Sequence, residues 1–305
     1  MKNSIYIQSI LGFKGIGRKK AFKLVNKLHL EKNNISENEF IERVKSVKEF
    51  VLFNINIDEL KKNIDIEKKN FEEHLSSEIN SVAFYEKEFP KKLLAINDPP
   101  LILFYKGNIA KLNTIDSIAV VGTREPDKNS YDIANRYSQI ISENNFGVVS
   151  GLARGCDTAA HKGALEKNAY TVAVMPCSLD DESIYPKENK SLLNDILKND
   201  NCVISEYSLG TKIQQYQFIE RDRLQSGLSN SILIIETTLK GGTMHTYKFA
   251  LEQSKLIGCC NFYDDINRFS GNIEIMSDSN VIKITDHNDL QNFIEQSKIN
   301  ELKLL

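Results

Sequence analysis

The chain has 305 residues, 41% of them hydrophobic and 26% charged, with a net charge of -2; this is ordinary usage for a folded protein and excludes disorder as its main state. No apolar run approaches the ~18 residues of a membrane span, and the N-terminus lacks the charged-then-apolar pattern of a leader, so the expected location is cytoplasmic. The five cysteines (156, 177, 202, 259 and 260) have neither zinc-knuckle nor CxxC spacing; they are expected as buried small hydrophobes, and no metal or cofactor is implied.

The first 30 residues hold seven basic groups (Lys2, Lys14, Arg18, Lys19, Lys20, Lys23, Lys27) and no Asp or Glu. Within them, Gly15 and Gly17 permit a tight turn, and the helix that follows opens on Arg18-Lys19-Lys20. A phosphate placed there would meet backbone N–H groups, a helix N-terminus and ammonium groups together. The segment is similar to a helix-hairpin-helix, with Lys14, Gly15, Gly17, Arg18 and Lys19 as a secondary DNA contact; a solvated basic face is the alternative. Residues 31 to about 80 are polar, with Phe40, Ile41, Val44 and Val47 at helical spacing, which predicts short helices and a small helical N-terminal domain over 1–80. Phe89-Pro90 and Asp98-Pro99-Pro100 force extended backbone, and Leu101 to Tyr105 reads as a strand, so 81–111 is an extended connector ending in a strand.

From Ser117 the pattern becomes short apolar strands (Ile118–Val121, Val148–Ser150, Thr171–Met175, Cys202–Ser205, Ile232–Glu236, Leu256–Cys260) alternating with helices such as Tyr131–Asn144 and Asp157–Lys167. Continuous apolar strands separated by helices predict an α/β core with a doubly wound, mostly parallel sheet over 112–288; a C-terminal helix or tail covers 289–305. In such a sheet the loops that follow strands share one edge. Three of them carry glycine with a cation: Gly122-Thr123-Arg124, Ser150-Gly151-Leu152-Ala153-Arg154-Gly155, and Lys240-Gly241-Gly242-Thr243. Their convergence predicts an anion pocket of backbone N–H groups and guanidinium forks. Neither a Walker A run nor GxGxxG occurs, and Gly147 to Gly151 misses GxSxG by one residue, which disfavours the usual ATP and NAD modes and a nucleophile elbow. His161 follows Asp157 by four residues, so the two share a helix face as a buried brace or a pocket wall.

These residues carry a resemblance. Val120 to Arg124 and Val149 to Leu165, with Tyr185-Pro186, Asn189, Ile204-Ser205-Glu206, Phe218, Arg221-Asp222-Arg223, Leu228-Ser229 and Gly241-Gly242-Thr243 in order, resemble the DNA-processing protein A (DprA/Smf) family over most of residues 8–285. The resemblance implies a Rossmann-like single-stranded DNA-binding protein rather than an enzyme. It also implies a homodimer that protects single strands and loads a recombinase of the RecA type during DNA uptake and recombination. Candidate DNA contacts are Gly122, Thr123, Arg124, Ser150, Gly151, Leu152, Ala153, Arg154, Gly155, Lys187, Arg221, Arg223, Gly241, Gly242 and Thr243.

The chain departs from the family pattern in places. Asp222 stands where Asn is usual, Gly241-Gly242 replaces Ser-Gly, Cys259-Cys260-Asn261 replaces a Val-Pro-Gly type ending, and little length follows residue 290 for a winged-helix-like domain. Arg221 and Arg223, two apart on a helix, are expected to face opposite sides, and a carboxylate between them must pair or turn away to sit beside phosphate. The rival reading is a LOG-like nucleotide-binding sensor or nucleoside-monophosphate hydrolase. Against the hydrolase, Lys248 occupies the position of the catalytic glutamate in the Gly-Gly run that such enzymes use.

Overall fold

The computed structural model describes residues 3–300 apart from 32–33, 49, 51–52, 54 and 262–264; Lys2 and residues 301–305 lie outside it. Among the described residues the helices that come first are α1 (Ser4–Leu11), α2 (Arg18–Lys27), α3 (Glu37–Ser46) and α4 (Ile57–Ser76). Ser36 and Asn56 cap the last two by accepting from backbone N–H groups of the first turn, as short polar side chains do at helix starts. β1 (Asn80–Ala83) and β2 (Ile102–Gly107) follow, then β3 (Ser117–Val121), α5 (Lys128–Glu143), β4 (Gly147–Ser150), α6 (Cys156–Glu166), β5 (Thr171–Met175), α7 (Lys190–Lys198), β6 (Cys202–Ser205) and α8 (Gln215–Leu228). The chain closes with β7 (Ser231–Ile234), α9 (Thr243–Glu252), β8 (Leu256–Cys260), α10 (Ser270–Ile275), β9 (Ile282–Ile284) and α11 (His287–Asn300).

All the described strands join one nine-stranded sheet in the order β1-β2-β6-β5-β4-β3-β7-β8-β9. Pairing is parallel from β6 to β9 and antiparallel only for β1 with β2 and β2 with β6. Every predicted strand of the α/β core is present. The connector's strand is part of the same sheet, and β1 and β9, four and three residues long, escaped the sequence reading because so short a run carries no usable period.

The parallel strands β3 to β8 are buried on both faces, which is why they read as apolar runs. Ile118, Val120, Val148 and Leu233 pack under α5, α6 and α11 through Ile141, Ala160 and Phe293. The alternate residues Ala119, Val121, Val149, Ile232 and Ile234 pack with Leu224 and Leu228 of α8 and Ala250 of α9. The N-terminal helices share a third cluster with the sheet, where Ile5, Tyr6, Leu24 and Ile64 meet Ile102, Phe104 and Val203. From β3 the chain adds strands outward on one side through β6, then returns to place β7 on the other side of β3. That reversal is the topological switch point, and ligands of open α/β sheets bind outside the carboxyl ends of the strands there.

The hairpin turn has the expected backbone, with Gly15 at φ 84° and α2 starting after Gly17. Lys14 and Lys19 are exposed. Arg18 is not a free phosphate contact, contrary to expectation. Its Nε donates to Asp98 Oδ2 at 2.8 Å and its Nη1 to Glu220 Oε2 of α8 at 2.9 Å, because the turn packs its first helical residue against carboxylates from the connector and α8. Lys20 likewise folds back, its Nζ donating to the Gly15 carbonyl at 2.9 Å. Replacing Arg18 by Ala is expected to lower unfolding stability by about 1–3 kcal/mol, since the pairs are only partly shielded from water. The loss should shrink when Glu220 is already Gln, as measured by denaturant titration of both singles and the double.

Candidate nucleic-acid interface

Three loops meet at the carboxyl edge of β3, β4 and β7, held by their own backbones. Thr123 N donates to the Glu236 carbonyl at 2.8 Å, and the first N–H of α6, on Cys156, donates to the Thr123 carbonyl at 3.1 Å. Gly155 turns into that helix at φ 76°, and a Cβ there would lie 2.5 Å from Thr123 O. The loop after β4 is braced twice. Asp157 Oδ2 accepts from Gly151 N and Ala153 N at 3.0 and 3.2 Å. Buried Asn189 donates through Nδ2 to Leu152 O at 2.8 Å and to Thr158 Oγ1 at 2.8 Å, which holds Leu152 at φ 55°. Asp157 and His161 are thus both buried braces, but of different neighbours: His161 Nδ1 bonds Thr171 Oγ1 at 2.8 Å, and burial pulls its pKa down to about 3.

Above these loops lies a cleft of about 740 Å³. Gly122, Thr123, Arg124, Ala153, Arg221, Gly241, Gly242 and Thr243 line it, as does Lys240. A connected recess is lined by Arg124, Gly151, Ala153, Arg154 and Arg221, so Arg124 and Arg154, which follow different strands, do come to one place. Both are exposed, as is Lys240. Arg124 lies with its guanidinium carbon 5.2 Å from the Phe218 ring centre, within cation–π range.

Five expected contacts do not reach the cleft; Gly155, which turns the chain into α6, lines neither it nor the recess. Ser150 is fully buried and its hydroxyl donates to the Val120 carbonyl at 2.7 Å. Leu152 is fully buried in the core. Lys187 is exposed but lines neither cavity. Arg223 turns to the other side of α8, where Nη1 and Nη2 hold Glu206 at 2.5 and 2.7 Å and Nε donates to Asp98 O at 3.1 Å. The two-residue offset on the helix is the reason.

The cleft's wall and floor come from α8. Phe218, Arg221, Asp222 and Gln225 stand at i, i+3, i+4 and i+7 and all line it, one face of a helix. Tyr185 packs edge-on against Phe218, centroids 5.7 Å apart, and Ile213 and Ile219 add exposed apolar surface. Phe218, Tyr185, Asp222 and Gln225 were not among the predicted contacts; helical spacing around Arg221 points to Phe218, Asp222 and Gln225, whereas nothing local points to Tyr185. Arg221 is buried; Nη1 donates to Gly151 O at 2.6 Å and Val174 O at 2.8 Å, and Nε to Asp222 Oδ1 at 3.0 Å. With the Gln225 amide turned so that its nitrogen donates to Asp222 Oδ1 at 3.1 Å, its oxygen accepts from Gly151 N at 2.7 Å. Asp222 therefore pairs with an arginine rather than facing phosphate unshielded. Burial pushes its carboxyl up to about 7, opposed by Arg221 and reinforced by Asp157.

A family model described as DNA recombination-mediator protein A matches residues 80–295. Among curated relatives, Protein Smf of Borreliella burgdorferi is 37% identical over 166 residues, 54% of this chain and 52% of that protein. DNA processing protein DprA of Streptococcus pneumoniae is 37% identical over 185 residues, 60% of this chain and 64% of that protein. The chain thus spans between half and two thirds of the length of these relatives. The solved structure of DprA from Streptococcus pneumoniae has the same fold, with a TM-score of 0.75 over 95% of each chain at 24% identity. DNA processing protein A from Helicobacter pylori, whose structure is described as giving its single-stranded DNA binding mode, matches with a TM-score of 0.64 at 28% identity, covering 73% of this chain and 96% of that one.

The raised carboxyl gives a pH test. Unfolded, Asp222 ionises near the ordinary value of 3.8; folded, it keeps its proton to about 7. The folded state then holds more protons between these values, so this group's contribution to stability is full below the lower value and is lost as pH rises through the upper one. The stability difference between wild type and Asp222→Asn should move against wild type across that window and level off above it. Thermal unfolding of the pair over pH checks this; the buried histidines titrate alike in both and cancel.

Proposed function

The chain belongs to the DNA recombination-mediator protein A family, and from that premise we propose that it binds single-stranded DNA along the switch-point cleft. The observation that carries this reading is the juxtaposition of exposed Arg124, Arg154 and Lys240 with Phe218 and Tyr185 on the cleft wall. Guanidinium forks and backbone N–H groups suit phosphate oxygens, and an aromatic face suits an unstacked base. A base held in a duplex is paired and stacked, and must be pulled out before it can reach Phe218, which favours single strands. The exposed Lys14 and Lys19 of the hairpin add charge beside the connector and serve as a secondary contact. A homodimer, and a recombinase of the RecA type as partner, complete the proposal on the strength of the family alone. The role is binding and mediation rather than catalysis: Lys248, where a hydrolase of the related fold has its glutamate, is exposed on α9 and lines neither cavity.

Binding of a labelled oligonucleotide should favour the single strand over duplex of equal length, and log affinity should fall against log salt with a slope of about -0.7 per phosphate neutralised. Equal affinity for duplex overturns the proposal. Changing Lys14 and Lys19 to Gln should make that slope shallower and leave the strand preference in place.

Arg124→Ala and Arg154→Ala should each weaken single-strand binding by roughly tenfold or more, the scale of losing a hydrogen bond to a charged group. Lys in either place should recover only part, since it lacks the planar fork. Lys248→Ala should bind as wild type does. Release of free base from nucleoside monophosphates by the wild-type protein, with DNA binding indifferent to both arginines, would favour the hydrolase instead.

A further inference from the structure

A second cavity opens at the opposite edge of the sheet, before the strands begin. It measures about 440 Å³ and is lined by residues just ahead of β3 (Asp116), β7 (Ser229, Asn230) and β8 (Lys255), with Lys91 and Lys92 from the connector. None of these residues takes part in the cleft described above, so the inference stands apart from the DNA reading.

The charges lining it do not balance. Lys92 is paired with Asp116, whereas Lys91 and Lys255, also on the lining, meet no carboxylate among the described residues, which leaves two positive charges. Lys92 Nζ is held by Asp116 Oδ1 at 2.9 Å and by Asn230 Oδ1 at 2.5 Å. Lys255 Nζ donates to the Ser229 carbonyl at 2.6 Å, and burial together with the ammonium of Lys92 pulls its pKa down to about 8. Two ammonium groups thus crowd a partly dry space, a situation that an anion relieves. Ala95, Ile96, Leu112 and Ile115 supply the cavity's apolar surface, and Asn113 and Thr114 complete the lining. Size, apolar walls and a few convergent polar groups are the usual make-up of a small-molecule site.

An independent observation points the same way. Asn230 is 4% exposed, and its Oδ1 also accepts from Ser117 N at 3.2 Å, which settles the orientation of its amide. Its Nδ2 is buried and has no partner among the described residues; the Oε1 of Gln253, also on the lining, is in the same state. Buried polar atoms are nearly always satisfied, so an orphaned donor and an orphaned acceptor on one cavity call for a ligand that meets both.

We infer that this cavity is a binding site for a phosphate monoester carried on a largely apolar body. The monoester is close to a dianion at neutral pH, which matches the two uncompensated charges where a carboxylate would leave one. Lys91 and Lys255 hold the phosphate, the aliphatic side chains cover the body, and Asn230 and Gln253 offer its polar edge one donor and one acceptor.

Calorimetric titration of the full chain with phenyl phosphate tests this, with inorganic phosphate and phenol as the separate parts. Phenyl phosphate should saturate the protein and bind at least ~10-fold tighter than either part, the scale of a charge-assisted hydrogen bond added to burial. Lys255→Met should abolish that binding and Lys91→Gln weaken it, with single-stranded DNA binding retained in both. Should Lys255→Met lose its fold by circular dichroism, Lys91→Gln, an exposed position, decides alone. The inference is overturned if phenyl phosphate shows no saturable binding, if inorganic phosphate binds as tightly, or if Lys91→Gln changes nothing. Loss of phenyl phosphate binding in Arg124→Ala, or its displacement by an oligonucleotide, would place it in the cleft and overturn the inference while leaving the DNA reading intact.

Discussion

A guanidinium does not give up its charge inside a protein, so burying Arg221 obliges its surroundings to supply acceptors. They come from separate parts of the chain: the Gly151 carbonyl after β4, the Val174 carbonyl in β5, and the Asp222 carboxylate on α8 itself. One side chain thereby ties two strand ends to the helix that crosses them. The same bond dictates the residue opposite, because a Cβ on Gly151 would lie 1.8 Å from Arg221 Nη1. Gln225 then closes the circuit between Asp222 and Gly151 N. With that helix anchored, Phe218 is delivered one turn earlier to the cleft wall, and Arg124 lies against it.

The arrangement sorts charge by depth. Exposed cations stand at the opening, whereas Asp157 and Asp222 are buried behind them. A phosphate entering from solvent meets Arg124, Arg154 and Lys240 first, and the carboxylates below are already engaged by Arg221 and by backbone N–H groups. The inner acids therefore organise the loops, and of the outer positive charges only one is offset on the lining, by exposed Glu125. On its other side α8 presents Arg223 and Glu220 to a separate ionic cluster with Glu206, Asp98 and Arg18. The basic N-terminal hairpin and the cleft are in this way mounted on one helix, with opposite faces of it assigned to each.

The alternation of apolar strands and helices from Ser117 onward was legible in the sequence because a parallel sheet covered on both faces keeps β3 to β8 apolar except for Ser or Thr at their ends. The glycine-and-cation loops were legible for a related reason: strand ends in such a sheet share an edge, so three distant segments can be assigned to one place without coordinates. Gly122, Arg124, Arg154 and Gly241 all appear where that logic puts them. The short β1 and β9 were not legible, nor was the merging of the connector's strand with the main sheet, since pairing partners far apart in the chain leave no local signal.

Side-chain allegiance was the other thing sequence could not reach. Arg18, Arg221 and Arg223 are the same residue type in basic or motif-bearing stretches, yet one bridges two acids, one is locked beneath the cleft, and one is spent on Glu206. Helical spacing separates Arg221 from Arg223, but only the neighbouring elements decide which face meets a cleft and which meets a carboxylate. By itself, the sequence determined the α/β class, the edge at which the loops gather and the glycines that let them approach, because these follow from local periodicity and backbone freedom. Which cations remain free, which acids are neutralised and which amides are left without partners was decided by the tertiary structure alone. Each of those outcomes depends on groups brought together from distant parts of the chain, and on how much water their meeting excludes.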